Sequence, residues 1–200
     1  MIKLIALTGA AKSGKSTIAK YLSEGTDSRY GTHVPFVRAR FSGTLKKMLM
    51  QIPDVTEDMI EGSLKEEPQE IFGGRTPREV MQTLGTEWGR DSVYSKIWLD
   101  AWERSVSNLT YVVVEDLRYL NEAELIKDRG GKIWRIRRPD YFFGHSHISE
   151  TEMEGIEPDL VIRNSGSVEE LHAMIDRILE PWSGEDIGPR YEGRETGHRK

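Results

Sequence analysis

Residues 9 to 16 read Gly-Ala-Ala-Lys-Ser-Gly-Lys-Ser, matching every fixed position of the pattern G-x-x-x-x-G-K-[ST]. No other feature constrains the fold as tightly. Its glycines let backbone N–H groups turn inward around phosphate, and the geometry works only between a buried strand and a helix N-terminus. Both neighbours are legible. Residues 2–8 form an apolar run of strand length, and Ile18, Ala19 and Leu22 give a helical stripe to a helix continuing from Thr17 to Ser23. Gly9, Ala11, Lys12, Ser13, Gly14, Lys15, Ser16 and Thr17 are therefore the expected nucleotide-phosphate cradle. Lys15 is expected to reach the β- and γ-phosphates of ATP, and the Ser16 hydroxyl to bind Mg2+.

Further strands and helices alternate behind this loop. A second strand is expected within Val34 to Phe41, then a helix through Leu45, Met48 and Leu49. Asp54 to Gln69 is acidic and weakly periodic, which suggests short helices in a mobile arm. Thr76-Pro77-Arg78-Glu79 is a sharp helix start, with a capping Thr, Pro at the first helical position and Glu at the third. Val80, Met81 and Leu84 supply its apolar face. Another helix is expected from about Val93 to Val106, with Ile97, Ala101 and Trp102 inward. Tyr111-Val112-Val113-Val114 is an uninterrupted run suited to a central parallel strand. Asn121-Glu122-Ala123-Glu124 is expected to cap a helix that stops at Gly130-Gly131. Strands follow at Ile133 to Arg137 and Leu160 to Ile162. Ser167 and Glu170 open the last helix, whose stripe is Val168, Leu171, Ile175, Ile178 and Trp182. The pattern predicts a three-layer α/β/α P-loop NTPase fold with a parallel sheet and right-handed crossovers. Residues 1–182 form the domain, with a helical arm at about 45–105 and a polar, aromatic-containing lid at about 139–158. Residues 183–200 lack periodicity and read as a flexible tail.

The chain has 200 residues, 28 Lys+Arg against 33 Asp+Glu, and no cysteine. The length suits one domain with an inserted lid. Disulfides, thiolate metal sites and cysteine nucleophiles are excluded, and a net charge of −5 speaks against a general nucleic-acid surface. No stretch approaches the ~20 apolar residues of a membrane span. A strand starting at Ile2 leaves no room for a signal peptide, so a cytoplasmic location is expected.

A GTPase would need a guanine-reading Asn-Lys-x-Asp segment, which is absent. Asp128-Arg129-Gly130-Gly131 ends a helix and is not a switch motif. A small kinase needs only a second anion site and a lid. The Mg2+ partner should stand at the end of a central strand, where Glu115 and Asp116 follow Val114. Strand alternation lets only one of them face the loop. Transfer between phosphate groups also needs positive charge, which arginine supplies bidentately. Arg78, in the first turn of a capped helix, and Arg118, two residues beyond Asp116, are the main candidates, with Arg90, Arg137 and Arg138 behind them.

Several segments together give the chain a family resemblance. They are Gly9 to Ser16, Phe41 to Lys46, Thr76 to Glu87 with Arg90, Glu115 to Ala123, Arg137-Arg138-Pro139, His147 to Glu150 and Asp159 to Asn164. In these the chain resembles the phage-type deoxynucleoside monophosphate kinases, relatives of adenylate kinase and dephospho-CoA kinase. The phosphate loop is generic, whereas the Thr-Pro-Arg helix and the Asp-x-Arg with its following Asn-Glu are selective. The resemblance implies transfer of the ATP γ-phosphoryl to a deoxynucleoside monophosphate. It selects Asp116 as the Mg2+ partner and makes Lys15, Asp116, Arg118 and Arg78 the catalytic set. Lys46, Arg78, Gln82, Arg90 and Arg118 would hold the acceptor, and Arg137 and Asn164 would approach the donor adenine. It also suggests a homodimer and, if phage-encoded, a host cytoplasm. Ser42-Gly43-Thr44 departs from the apolar-acidic-proline wording of the family. Competing readings are a P-loop kinase of another small acceptor, dephospho-CoA-like, and a non-catalytic ATP-binding regulatory module.

Other eye-catching residues have plainer explanations. His145 and His147 lack partnering ligands for a metal, and Ser149 with Glu152 fits a capping box. Trp88, Trp98 and Trp102 read as core. Tyr141, Phe142 and Phe143 either close over a base or anchor their excursion.

Overall fold

The apolar runs around residues 5, 113 and 134 form the middle of one parallel sheet. A computed structural model describes residues 3–24, 27–28, 31–32, 35–139 and 148–179. Strand β1 (Lys3–Thr8) leads through the glycine-rich loop into helix α1 (Lys15–Glu24). Two-residue strands β2 (Asp27–Ser28) and β3 (Gly31–Thr32) pair antiparallel, and β4 (Val37–Arg38) joins the main sheet. Helices α2 (Gly43–Leu49), α3 (Glu57–Glu61) and α4 (Pro77–Thr83) follow, with 3-10 turns at Ser63–Glu66 and Glu70–Phe72. A π-helical segment, Leu84–Val93, runs on from α4 and precedes α5 (Ile97–Val106). Then come β5 (Tyr111–Val114), α6 (Leu120–Asp128), β6 (Lys132–Arg137), α7 (Ile148–Gly155), β7 (Leu160–Arg163) and α8 (Val168–Leu179). The sheet order is β4-β5-β1-β6-β7, every pairing parallel.

Alternation along β1 and β5 divides the core into two faces. Ile5, Leu7 and Val113 pack with Ile18 and Leu22 of α1 and Leu171, Ile175 and Leu179 of α8. Leu4, Ala6, Val112 and Val114 pack with Trp102 and Val106 of α5 and Ala123 and Ile126 of α6. The fold class expected from the sequence is therefore observed. Tyr21 helps fix α1 on α8: its ring stacks on His172 at 3.8 Å and its hydroxyl donates to Asp176 at 2.7 Å. A third, smaller core gathers Leu45, Leu49, Val55, Ile60 and Trp98, with Val80, Met81 and Leu84 packed against it. The Thr76 capping box forms as expected, with Thr76 and Glu79 bonding each other's backbone N–H groups. So does that of Ser167 and Glu170.

Local expectations fail where packing overrides pattern. Val93 does not begin α5 but ends the π-helical segment, where Tyr94 N–H donates five residues back to Gly89. The wide turn accommodates Trp98: its indole N–H donates to the Gly85 carbonyl at 2.7 Å, and a Cβ on Gly89 would lie 2.6 Å from the ring. Trp98 and Trp102 are core, whereas Trp88 is 41% exposed on the segment's outer side. Met48 and Val168 are also exposed, leaving the buried stripes to Leu45 with Leu49 and to Leu171, Ile175 and Leu179. Asn121 does not cap α6. Tyr119 is the capping position, and Glu122 reaches back to its N–H at 3.1 Å. Ser149 lies inside α7 beyond its first residue, and the Glu152 carboxylate accepts from Leu120 N–H at 3.2 Å. Residues 140–147 of the expected lid, Trp182 and the 183–200 tail lie outside the described residues. Among those described, no helix is long and apolar enough to cross a membrane.

Candidate active site

The glycine-rich loop leaves β1 at the centre of the sheet's C-terminal edge. Gly9 and Gly14 have φ of +131° and +110°, a region that L side chains rarely adopt. Space also demands glycine, since a Cβ on Gly9 would lie 2.3 Å from the Ile136 carbonyl, and one on Gly14 2.5 Å from Asn164 Nδ2. The Lys15 ammonium donates to the carbonyls of Gly9 (2.5 Å) and Ala10 (2.6 Å), which hold it at the loop. Asn164 follows β7 and is buried, donating from Nδ2 to the Ser13 carbonyl at 2.8 Å. It supports the loop from behind. Ser13 is itself 1% exposed, so its hydroxyl is turned away from the loop's open side.

A cavity of about 370 Å³ opens from the loop. Ala11, Lys12, Lys15 and Ser16 line it at one end, and Lys46, Arg78, Gln82, Arg90 and Arg118 line it as well. The acceptor residues expected from the sequence thus converge, with Asp116 among them. Gly9, Ser13, Gly14 and Thr17 shape the loop without lining this cavity. Arg137 ends β6 as an exposed residue and, like Asn164, is not part of the wall.

Glu115 and Asp116 face different groups. Val113 belongs to the face covered by α1, so alternation carries Glu115 toward that helix and its Ser16. Asp116 turns the other way. Its Oδ1 accepts from Phe41 N–H at 3.0 Å, and its Oδ2 from Ser42 N–H at 3.0 Å and Ser42 Oγ at 2.7 Å. Asp116 therefore holds the turn that begins α2, and the carboxylate beside Ser16 is Glu115. Glu115 is 4% exposed. Its Oε1 accepts from Arg38 Nη2 (2.6 Å), Arg38 Nε (3.1 Å) and Arg40 Nε (2.6 Å). Burial pushes its pKa up, but Arg40, the Ser16 hydroxyl and Arg38 outweigh that and hold it below the ordinary value. Its Oε2 is buried with no hydrogen-bond partner among the described residues.

The far wall is an array of ion pairs. Glu61 of α3 bonds both Arg40 and Lys46, the latter at 2.9 Å, and Glu66 pairs with Arg78. Glu122, 2% exposed, accepts from Arg90 Nη2 at 2.7 Å and from the N–H groups of Arg118 (2.9 Å) and Tyr119 (3.1 Å). Burial raises its pKa to about 7; Arg90 opposes that shift and Asp116 adds to it. Arg90 also lies 3.9 Å from the Tyr119 ring centroid, and the Tyr119 and Thr86 hydroxyls are 3.0 Å apart. Sequence reasoning missed Arg40, Glu61, Lys65, Thr86, Tyr119 and Glu122. Glu122 stands in a selective motif, where its spacing shows it only as a cap. For Arg40, its position on the approach to α2, at the same sheet edge as Glu115, was the available signal.

A hard cation fits the loop side of the cavity. The Ser16 hydroxyl and the orphaned, ionised Oε2 of Glu115 are oxygen donors of the kind Mg2+ selects. Among the described residues there is no cluster of three or more His, Asp or Glu that would hold a metal alone.

A family model described as deoxynucleotide monophosphate kinase matches residues 64–175. A protein of Acanthamoeba polyphaga mimivirus, provisionally named a deoxynucleotide monophosphate kinase, is 32% identical over 188 residues, covering 86% of this chain and 93% of its own. The deoxynucleotide monophosphate kinases of phages RB69 and T4 are 32% and 31% identical over 107 and 108 residues. Those matches cover about half of this chain (51% and 52%) and 44% and 45% of the phage proteins. An unliganded sugar kinase structure from a Janibacter species aligns over 90% of this chain and 95% of its own at 14% identity, with a TM-score of 0.42. That likeness carries no argument. With the model spanning more than half of its residues and a relative matching along nearly its whole length, the chain belongs to the deoxynucleotide monophosphate kinase family.

Proposed function

We propose that this chain transfers the γ-phosphoryl group of ATP to a deoxynucleoside 5′-monophosphate, giving the diphosphate and ADP. The observation that carries the reading is one cavity running from the phosphate loop to the cations of α2, α4 and the π-helical segment. A donor triphosphate and an anionic acceptor can meet there. An acceptor phosphate oxygen attacks the γ-phosphorus while the bond to the β,γ-bridging oxygen breaks and ADP leaves. The attacking oxygen is already anionic, so no general base is needed. The chain's task is to overcome repulsion between the two anions and align them.

Lys15 neutralises charge on the donor's terminal phosphates. Arg78 and Lys46 exchange Glu66 and Glu61 for the acceptor phosphate, and Arg118 stands between the two anions. Gln82, one turn beyond Arg78 on α4, presents an amide able to bond a base edge. Ser16 and Glu115 would hold Mg2+, which when bound neutralises charge on the β- and γ-phosphate oxygens. Asp116 positions the Phe41–Ser42 turn. Residues 45–105 form the acceptor arm in this reading.

The test is ADP formation from Mg-ATP with each of the four dNMPs, the matching ribonucleotides and dephospho-CoA, with Lys15→Ala as control. Stimulation by one or more dNMPs, lost in the control, is expected. Stimulation by dephospho-CoA alone would move the reaction to another acceptor, and ATP binding without any acceptor effect would favour a regulatory module.

A further inference from the structure

The cavity's positive charge is nearly all committed. Arg40 is balanced by Glu115 and Glu61, Lys46 by Glu61, Arg78 by Glu66 and Arg90 by Glu122. Lys65, in the 3-10 turn Ser63–Glu66, lines the same cavity but makes no hydrogen bond or ion pair among the described residues. The charged groups facing it are Lys46 of α2, Arg78 of α4 and Arg118 beyond β5, all positive, with Glu61 of α3 opposing them. An unpartnered lysine in a half-buried position among three cations is costly unless an anion completes the group.

We infer that Lys65 is a ligand of the acceptor's phosphate, a cation of this wall that an acceptor engages without displacing any carboxylate among the described residues. The inference rests on the kinase reading and adds a specific residue to it. Because Glu66, its chain neighbour, already holds Arg78, one short turn presents both the stand-in anion and the free cation. Lys65 is also titratable where the arginines are not. Burial first, and then Lys46 and Arg78, lower its pKa to about 8. Acceptor binding should therefore weaken as pH rises through about 8, where phosphate monoesters (second pKa about 6) are already dianions.

Acceptor KM, ATP KM and kcat are measured from pH 6.5 to 9.5 for wild type, Lys65→Met and Lys65→Arg, using the best dNMP. Lys65→Met should raise acceptor KM at pH 7 by about 10-fold to 100-fold, as for a lost charged hydrogen bond. ATP KM should stay within about twofold. Wild-type acceptor KM should climb above pH 8, whereas Lys65→Arg should keep a low KM with that climb removed. A purely structural lysine would not exchange a pH profile in this way. An unchanged acceptor KM in Lys65→Met, or an alkaline climb persisting in Lys65→Arg, would overturn the inference while leaving the kinase reading intact. A wild-type enzyme that turns over no dNMP would remove the kinase reading, and this inference with it.

Discussion

Neutralising Glu115 and neutralising Asp116 should have separable consequences, although the two carboxylates are adjacent in sequence. In Glu115→Gln the buried charge that balances Arg38 and Arg40 is lost. The loss is tempered, since the two arginine side chains are 33% and 25% exposed, Arg40 keeps Glu61, and the amide oxygen can still accept a hydrogen bond. Removing one partner of a fully buried pair costs about 3–5 kcal/mol, so about 1–3 kcal/mol is expected here. The cation site also loses its ionised oxygen. The free Mg2+ concentration giving half-maximal rate should then rise about 10-fold to 100-fold. In Asp116→Asn the Phe41–Ser42 turn loses charge-assisted bonds, and one donor faces the new amide group. Stability should fall by about 1.5–3 kcal/mol, with the Mg2+ midpoint unchanged. Initial rates against free Mg2+ at saturating substrates, with urea unfolding of each variant, separate the cases. Binding of Mn2+ with ADP, followed by electron paramagnetic resonance, gives a readout independent of turnover. A shifted metal midpoint in Asp116→Asn with none in Glu115→Gln would refute the assignment of Glu115.

Other consequences follow from single contacts. Asn164→Ala leaves the buried Ser13 carbonyl without its donor, which should cost about 1–3 kcal/mol in urea unfolding and raise ATP KM more than acceptor KM. Glu122 has a folded-state pKa raised to about 7 from 4.5. Between those values the folded state holds the proton that the unfolded chain has released. This group's contribution is thus intact below about pH 4.5 and lost as pH rises to 7. Urea unfolding between pH 4.5 and 7.5 should show a flatter pH dependence for Glu122→Gln than for wild type. An identical slope in the two would contradict the burial argument. Gly89→Ala forces a Cβ against the Trp98 ring, and a loss of about 1–3 kcal/mol should appear with disturbed Trp98 fluorescence.

The parts legible in sequence were those governed by local chemistry. The glycine loop declares itself because its backbone geometry tolerates few substitutes, and Thr76, Glu79, Ser167 and Glu170 declare helix starts because capping is a matter of spacing. Arg78, Gln82, Arg90, Lys46 and Arg118 were recognised through motif context and do meet at one cavity. What escaped was decided by packing between distant segments. The π-helical turn exists because Trp98 fills the space beside Gly89, which no residue between 84 and 93 announces alone. Alternation said that only one of Glu115 and Asp116 could face the loop, but choosing required knowing that Val113 lies under α1. Lys65 sits in an acidic, weakly periodic stretch, and only the folded turn brings it among Lys46, Arg78 and Arg118. Asn164 stands in a motif visible in the sequence, yet its burial behind Ser13 depends on β7 lying beside β6.

The central claim is phosphoryl transfer to a nucleotide, which label tracking tests most directly. The protein is incubated with γ-labelled ATP and each dNMP in turn, the products are separated, and Lys15→Ala is run in parallel. The account predicts label in a deoxynucleoside diphosphate for at least one dNMP, in proportion to ADP formed and absent from the variant. Label appearing only as inorganic phosphate, whatever the acceptor, would contradict it.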